Sequence, residues 1–490
     1  MRAPVAALVA ILAAAAALLA GPRPPSLGPE QTGDAALAAR VRDAAGDPGG
    51  YRGLSVALVE NGAVRFAGVG DDRITPDTAF EMGSVTKALT GMLLADLEQD
   101  GVLRAQDTLG TLLPGTGGPA ASITAEELTS HRSGLPRLPP QNPATLFLRQ
   151  ARAADPYAGI TPERIGRDVA GTESLDGRGK VAYSNYGVSV LGLALATRAG
   201  VPYPRLVTDR ILTPLGMSGT VFTLDGAAPP AGAAGGGTPS GRSTAPWTAS
   251  GTAPAGTGAW STAADLGRLL TALLAGTAPG QAAITDRFDA GPDERVGYGW
   301  FTRTADGRRI VWHNGGTGGF RAFVGFEPAT GRGVAVLGDT TRSVDPLGLR
   351  LLGVNAADES RSLPEWSVTV VTVLLLSAGT SLFTTAASPI RFRGRRVWGT
   401  DAPDRLQITD AALISAGCLT VVRLTGDWQL VPAWLWALAA GLSAAGAVLA
   451  ALRWRGLRTL KEGGNAAARW TGTGLSAVLA AALTALFLLP

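Results

Sequence analysis

The chain has 490 residues, only 17% of them charged, with a net charge of +4 and a mean hydropathy of +0.18. That length suits two or three domains, and so few charges with a positive hydropathy argue against a wholly water-soluble chain and put part of it in lipid. The basic balance does not point to DNA or RNA: segments 387–407 and 453–470 carry net +3 and +4, which leaves −3 for the rest, so the excess sits in two short segments between apolar stretches.

Residues 3–22 are uncharged and follow Arg2. The stretch 1–24 reads as a signal peptide with a short positive start or as an uncleaved anchor helix, since about 20 uncharged residues span a bilayer. Either sends the next domain across the membrane. Pro- and Gly-rich residues 25–35 form a linker, and a helix is expected over 34–46. Residues 53–70 hold two β-prone runs around Asn61-Gly62, a hairpin signal. Leu89, Leu93 and Leu97 recur at helical spacing and Gly101 ends the pattern, so a helix is expected over 84–99. The middle, 104–290, reads as mainly helical, with a Gly-, Ala- and Pro-rich loop over 225–258 that shows no clear chemistry. Thr262 and Asp265 form a capping-box pattern ahead of a helix at 263–275. Four β-runs separated by Asp-Gly, Gly-Gly and Thr-Gly turns then fill 297–340. Strands that open and close a domain with helices between them predict an α/β (α+β) fold over 36–355: an antiparallel sheet flanked by helices, with a helical subdomain.

The tail, 364–490, differs. Residues 366–390, 428–452 and 470–490 are uncharged and each can span a bilayer. A weaker candidate near 408–427 contains Asp410 and Arg423. With it, Arg391, Arg393, Arg395 and Arg396 fall on the same side as Arg453, Arg455, Arg458 and Lys461, as the positive-inside rule requires. An all-α bundle of four spans (366–388, 408–427, 430–452 and 470–489) is expected, the alternative being three spans and a re-entrant or surface helix. The catalytic domain then lies on the extracytoplasmic side of the cell membrane. The single cysteine, Cys418, lies in one of these apolar stretches and reads as a small apolar filler.

The segment Phe80-Glu-Met-Gly-Ser84-Val-Thr-Lys87 places a serine at a helix start with a lysine three residues on, sharing its face. A serine hydroxyl needs an adjacent base to act as nucleophile, and a lysine serves once burial lowers its pKa. The helix N-terminus adds N–H groups for an oxyanion. The chain holds 40 Arg and only three Lys, so Lys87 answers a need that an ever-protonated arginine does not meet. Tyr183-Ser184-Asn185 follows 99 residues after Ser84, and His313-Asn314-Gly315 follows 128 residues after Asn185.

Ser-x-x-Lys, Tyr-x-Asn and a late Lys/His-x-Gly, in that order, resemble the serine β-lactamase and penicillin-binding-protein superfamily. The Tyr-x-Asn form is similar to its class C β-lactamase branch, with DD-carboxypeptidase and esterase relatives. Leu128–Pro136 (LTSHRSGLP), Pro214–Gly219 (PLGMSG) and Trp260–Leu266 (WSTAADL) match that branch too, and the resemblance spans roughly 35–345. It implies that Ser84 forms an acyl-enzyme, that Lys87 takes or relays its proton, and that Tyr183 works with Lys87 as phenolate or relay. It further implies that Asn185 holds a substrate amide, that His313 and Gly315 line the far wall, and that the N–H groups of Ser84 and Gly316 form the oxyanion hole. His in place of Lys in the third motif leaves a group that titrates near ~6.5 when unperturbed, and binding of carboxylated substrates is expected to weaken as His313 deprotonates. His131 reads as structural.

The implied activity is acyl transfer on amides or esters, with D-Ala peptides of peptidoglycan or β-lactams as leading substrates. The alternatives are a carboxylesterase of the same fold and a membrane penicillin-binding sensor that deacylates slowly. The two histidines make no zinc-type cluster, and no metal or organic cofactor is implied. The expected partners are a small-molecule or peptidoglycan-peptide substrate and the lipid bilayer, with oligomeric state left open.

Overall fold

The computed structural model describes residues 2–357, 363–388, 390–392, 395–398, 402–460 and 465–488. It divides into two compact units, one of residues 26–238 with 243–359, the other of 1–25, 239–242 and 360–490. Arg393, Lys461 and residue 489 of the last expected span lie outside the described residues.

The larger unit is built on a nine-stranded antiparallel sheet. Its early strands are β1 (Gln31–Gly33), β2 (Leu54–Glu60) and β3 (Ala63–Val69). Three short strands, β4 (Phe80–Glu81), β5 (Val221–Phe222) and β6 (Ala259–Ser261), make a separate small sheet. The late strands are β7 (Phe288–Gly291), β8 (Glu294–Val296), β9 (Phe301–Ala305), β10 (Arg308–Gly316), β11 (Arg321–Glu327) and β12 (Arg332–Gly338). The order in the large sheet is β1-β3-β2-β12-β11-β10-β9-β8-β7, so β2 pairs with β12 and the two ends of the domain meet in its centre. Asn61 and Gly62 both take positive φ, 52° and 77°, which is the two-residue hairpin turn their sequence predicts.

Each face of the sheet buries its own apolar layer. On one, Val56, Phe323 and Val336 pack with Leu37 and Val41 of the Ala35–Ala45 helix and Leu347 of the Asp345–Leu351 helix. On the other, Val324, Phe326 and Ala335 meet Leu89 and Leu93 of the Thr86–Gln99 helix and Leu266 and Leu270 of the Ala263–Ala275 helix. The last of these helices is capped by the Thr262 hydroxyl, which accepts the Asp265 N–H. The reciprocal half of the expected capping box does not form, because the Asp265 carboxylate accepts from the Thr220 hydroxyl and from Arg268 instead.

The smaller unit is mainly helical. Trp366–Ala387, Arg405–Thr425 and Ala433–Gly456 are long and apolar enough to cross a membrane, and a further helix covers Ala466–Leu488. The weak sequence candidate near 408–427 is thus a full 21-residue helix. The first apolar run is not one continuous helix: it breaks at Gly379–Thr380 between Leu363–Ala378 and Ser381–Ala387. Hydroxyls of neighbouring helices satisfy the broken turn, Ser415 accepting the Leu382 N–H at 2.9 Å and Ser443 donating to the Gly379 carbonyl. The basic segment after it pairs Ile390–Phe392 with Arg395–Trp398. The N-terminal helix Arg2–Ala20 lies along Ala433–Arg453, so close at Gly441 that a Cβ there would come within 2.7 Å of the Ala10 carbonyl oxygen.

Candidate active site

Ser84 lies in a single 3₁₀ turn, Gly83–Val85, between β4 and the Thr86–Gln99 helix. That turn is gripped by backbone from two directions. Gly83 has φ +50°, and a Cβ on it would stand 2.8 Å from the Gly316 nitrogen; one on Gly256 would stand 2.2 Å from the Gly83 carbonyl oxygen. A Cβ on Gly315 would meet the Met82 carbonyl oxygen at 1.9 Å. Glycine at these positions lets the end of β10 press against the nucleophile turn: a Cβ on Gly315 would also stand 3.1 Å from the Ser84 nitrogen, so the Ser84 and Gly316 amides border one backbone contact. Gly315 therefore contributes by close packing.

Lys87 Nζ is 2.7 Å from Ser84 Oγ and donates to the Ala255 carbonyl at 2.6 Å. The side chain is 1% exposed. Burial, with the positive charge of Arg137 second, holds its pKa well below the ordinary lysine value. A neutral amine at this distance can accept the Ser84 proton.

Tyr183 precedes the Asn185–Ala199 helix, whose N-cap is Ser184. Its hydroxyl interacts with the Ser84 side chain, and burial pushes its pKa above the usual tyrosine range. The phenol therefore keeps its proton in the resting site, which favours the relay over the phenolate among the expected roles. Lys87 Nζ lies 5.0 Å from the centre of the Tyr183 ring and the Arg137 guanidinium 5.1 Å. His131 packs on the same ring at 4.5 Å. With its backbone at φ +60°, His131 accepts the Ser184 N–H on Nδ1 at 3.2 Å, while its carbonyl accepts the Ala182 N–H at 2.8 Å. Burial lowers its pKa well below normal, with the Lys87 charge second, as an Nδ1 acceptor needs. It holds the second motif in place, a structural part as expected.

Asn185 Nδ2 donates to the Tyr157 hydroxyl at 2.8 Å, and its buried Oδ1 has no partner among the described residues. That oxygen is available to accept an amide N–H. His313 is buried on β10, and its Nδ1 must donate to the Asn314 carbonyl 2.6 Å away, leaving Nε2 unprotonated. Burial, then the Lys87 charge, lowers its pKa to about 3. The ring is neutral at any working pH, so the expected titration near ~6.5 does not occur: a solvated histidine titrates there, and this one is not solvated. Asn314 turns the other way and donates to Asp345.

Several parts of the site were not visible in the sequence. The 225–258 stretch, expected to be chemically blank, supplies the Ala255 acceptor for Lys87 and the indole of Trp247, which stands edge-on to Tyr157 at 5.5 Å. Two buried carboxyls order these segments. Glu81 accepts the backbone N–H of Trp247, and burial raises its pKa to about 7. Asp155 accepts the N–H groups of Tyr157, Thr248 and Ala249. Arg137 was missed as well; its carbonyl accepts the N–H groups of Asn185 and Tyr186. The signals that could have found them are the lone aromatic in a run of small residues and the arginine that directly follows LTSHRSGLP. Among the described residues no group of His, Cys, Asp and Glu comes together as a metal site.

Comparison with known proteins gives a consistent picture. Residues 37–356 match the family described as Beta-lactamase. The D-alanyl-D-alanine-carboxypeptidase/endopeptidase AmpH of Escherichia coli K12 is 29% identical over 188 residues, which is 36% of this chain and 46% of that protein. Beta-lactamase-like protein 2 of Dictyostelium discoideum is 29% identical over 162 residues, 31% of this chain and 28% of that one. The chain thus spans less than half the length of these curated relatives. A class C β-lactamase from Rhodobacter sphaeroides shares the fold at a TM-score of 0.53 and 22% identity, over 64% of this chain and 96% of that structure. The β-lactamase/D-alanine carboxypeptidase from Yersinia pestis, complexed with citrate, reaches 0.53 and 25% over 64% and 93%.

Proposed function

The chain belongs to the Beta-lactamase family, and from that premise we propose that it is a membrane-anchored serine hydrolase that forms an acyl-enzyme on D-Ala-terminated peptides. The observation that carries this reading is the buried Lys87 amine 2.7 Å from Ser84 Oγ, its pKa held well below the ordinary lysine value by burial. In the proposed cycle Lys87 takes the Ser84 proton as the hydroxyl attacks the scissile carbonyl. The Ser84 and Gly316 N–H groups receive the developing oxyanion. Asn185 Oδ1 accepts an N–H from the acyl part of the substrate. The Tyr183 phenol, protonated at rest, passes its proton to the leaving amine, and the proton that Lys87 took from Ser84 replaces it. A water then takes the leaving group's place and the same pair activates it to release the product. The carboxypeptidase named among the relatives supports the choice of peptide.

The membrane part of the reading has two supports. Three helices have the length and hydropathy to cross a bilayer, and the Ala466–Leu488 helix is read as the fourth span. The close fit of Ala10 against Gly441 favours an N-terminal helix that is retained as an anchor rather than cleaved. With the catalytic domain outside, the described basic residues Arg391, Arg395, Arg396, Arg453, Arg455 and Arg458 all face the cytoplasm.

The test is release of D-alanine from a D-Ala-D-Ala peptide by the full-length protein in detergent, beside Ser84→Ala. Release by the wild type alone supports the reading. Turnover of p-nitrophenyl esters with no release of D-alanine turns it to the carboxylesterase alternative.

A further inference from the structure

Burial pushes the lysine and both histidines of the cleft towards their neutral forms, so none of them is a fixed charge for recognising an ion. The chain places one beside the cleft. Arg137 is exposed, and its guanidinium lies over the Tyr183 ring, 5.1 Å from the centroid. No carboxylate pairs with it among the described residues. The two buried carboxyls of the site face elsewhere, Glu81 to the Trp247 backbone N–H and Asp155 to the backbone N–H groups of Tyr157, Thr248 and Ala249. The charge is felt through the site, at Lys87, His131, Tyr157 and Tyr183.

Arg137 is also held in register with the chemistry. Its carbonyl accepts the Asn185 N–H at 2.9 Å and the Tyr186 N–H at 3.4 Å, so the base of the side chain is fixed to the start of the helix that carries Asn185. Only its outer end is free. A guanidinium so placed offers a planar fork of donors that fits a carboxylate.

We propose that Arg137 is a specificity-determining residue that binds a carboxylate on the acyl part of the substrate, the part Asn185 holds. The cleft then selects anionic acyl groups. This rests on the serine-hydrolase reading above and narrows it to acidic substrates, with the positive charge supplied by the loop that follows the Ala125–Thr129 helix and not by the third motif on β10.

Mono-p-nitrophenyl glutarate and p-nitrophenyl pentanoate share a leaving group and differ in one acyl-end carboxylate. The ratio of their kcat/KM values, measured on the full-length protein, isolates that charge. The expected result is a ratio about tenfold higher in the wild type than in Arg137→Gln, the worth of one charge-assisted contact at a partly exposed site. Arg137→Lys keeps part of it, and 0.5 M salt lowers the wild-type ratio towards that of Arg137→Gln. Equal ratios in wild type and Arg137→Gln, with both esters turned over, overturn this inference and leave the serine-hydrolase reading intact. If neither ester is cleaved faster than by Ser84→Ala and the peptide releases no D-alanine, that reading fails and takes this one with it; release of D-alanine without cleavage of either ester overturns this inference alone.

Discussion

Replacing Lys87 by Met removes the amine while keeping a side chain of similar length in the same buried slot. Two contacts disappear: the one to Ser84 Oγ at 2.7 Å and the one to the Ala255 carbonyl at 2.6 Å. The first is the proton acceptor for acylation, and loss of a positioned base lowers a rate by about 10²–10⁴-fold, or about 3–5 kcal/mol of barrier. The second leaves a carbonyl unsatisfied, which costs about 1–3 kcal/mol of stability. Against that, Met removes the penalty of burying an amine that must shed its proton. The sign of this last effect is set by linkage. The folded pKa lies below the unfolded value, so the unfolded chain binds more protons, and wild-type stability rises with pH until both forms are neutral above the ordinary lysine pKa. The Tm of Lys87→Met relative to wild type is therefore highest at neutral pH and falls as pH approaches 10. The kinetic assay is acylation by a fluorescent penicillin over pH 5–10. Wild-type rates fall on the acid side as Lys87 takes up a proton, and Lys87→Met is slow and without that limb. A variant within tenfold of wild type would refute the assignment of Lys87 as base. So would a wild type that becomes active only above pH 10, since its lysine would then be an ordinary one.

Other predictions concern the groups around it. Glu81 has a folded pKa of about 7 against 4.5, so protonation favours the folded state and wild-type stability declines as pH rises from 4.5 through 7, by roughly 3 kcal/mol in all. Glu81→Gln abolishes that slope; parallel Tm curves for the two proteins over pH 5–8 would count against it. His313→Gln leaves the shape of the kcat/KM profile between pH 5 and 8 unchanged, because a ring with a pKa of about 3 carries no charge there; loss of an inflection near ~6.5 in the variant would restore the titrating histidine. Protein purified from membranes has an intact mass that includes the Arg2–Ala20 helix packed at Gly441; a mature chain that starts near residue 23 would show that this helix is removed.

Much of the site could be read from the sequence because its chemistry travels with local pattern. Ser84 and Lys87 are three residues apart across the 3₁₀ turn and the helix start, and the Asn61-Gly62 turn, the 263–275 helix and the strands β9 to β12 each obey a short-range rule. The parts that could not be read depend on distant backbone. Nothing near Ala255 marks it as the acceptor for a lysine 168 residues away. The run of Ala, Gly and Pro around it looked featureless for the same physical reason that it fits here: small residues let backbone approach backbone, as at Gly256 over the Gly83 carbonyl. The pKa of His313 also needed the fold, because its value comes from burial and the sequence shows only an imidazole. The break at Gly379 was hidden because its partners, Ser415 and Ser443, lie on other helices.

The central claim is that Ser84 is an acylating nucleophile in a β-lactam-shaped cleft. Its most direct test is the intact mass of the full-length protein after incubation with benzylpenicillin, beside Ser84→Ala. The expected result is a one-to-one adduct on the wild type and none on the variant. An adduct of equal extent on Ser84→Ala, or neither adduct nor drug loss with the wild type, would contradict it.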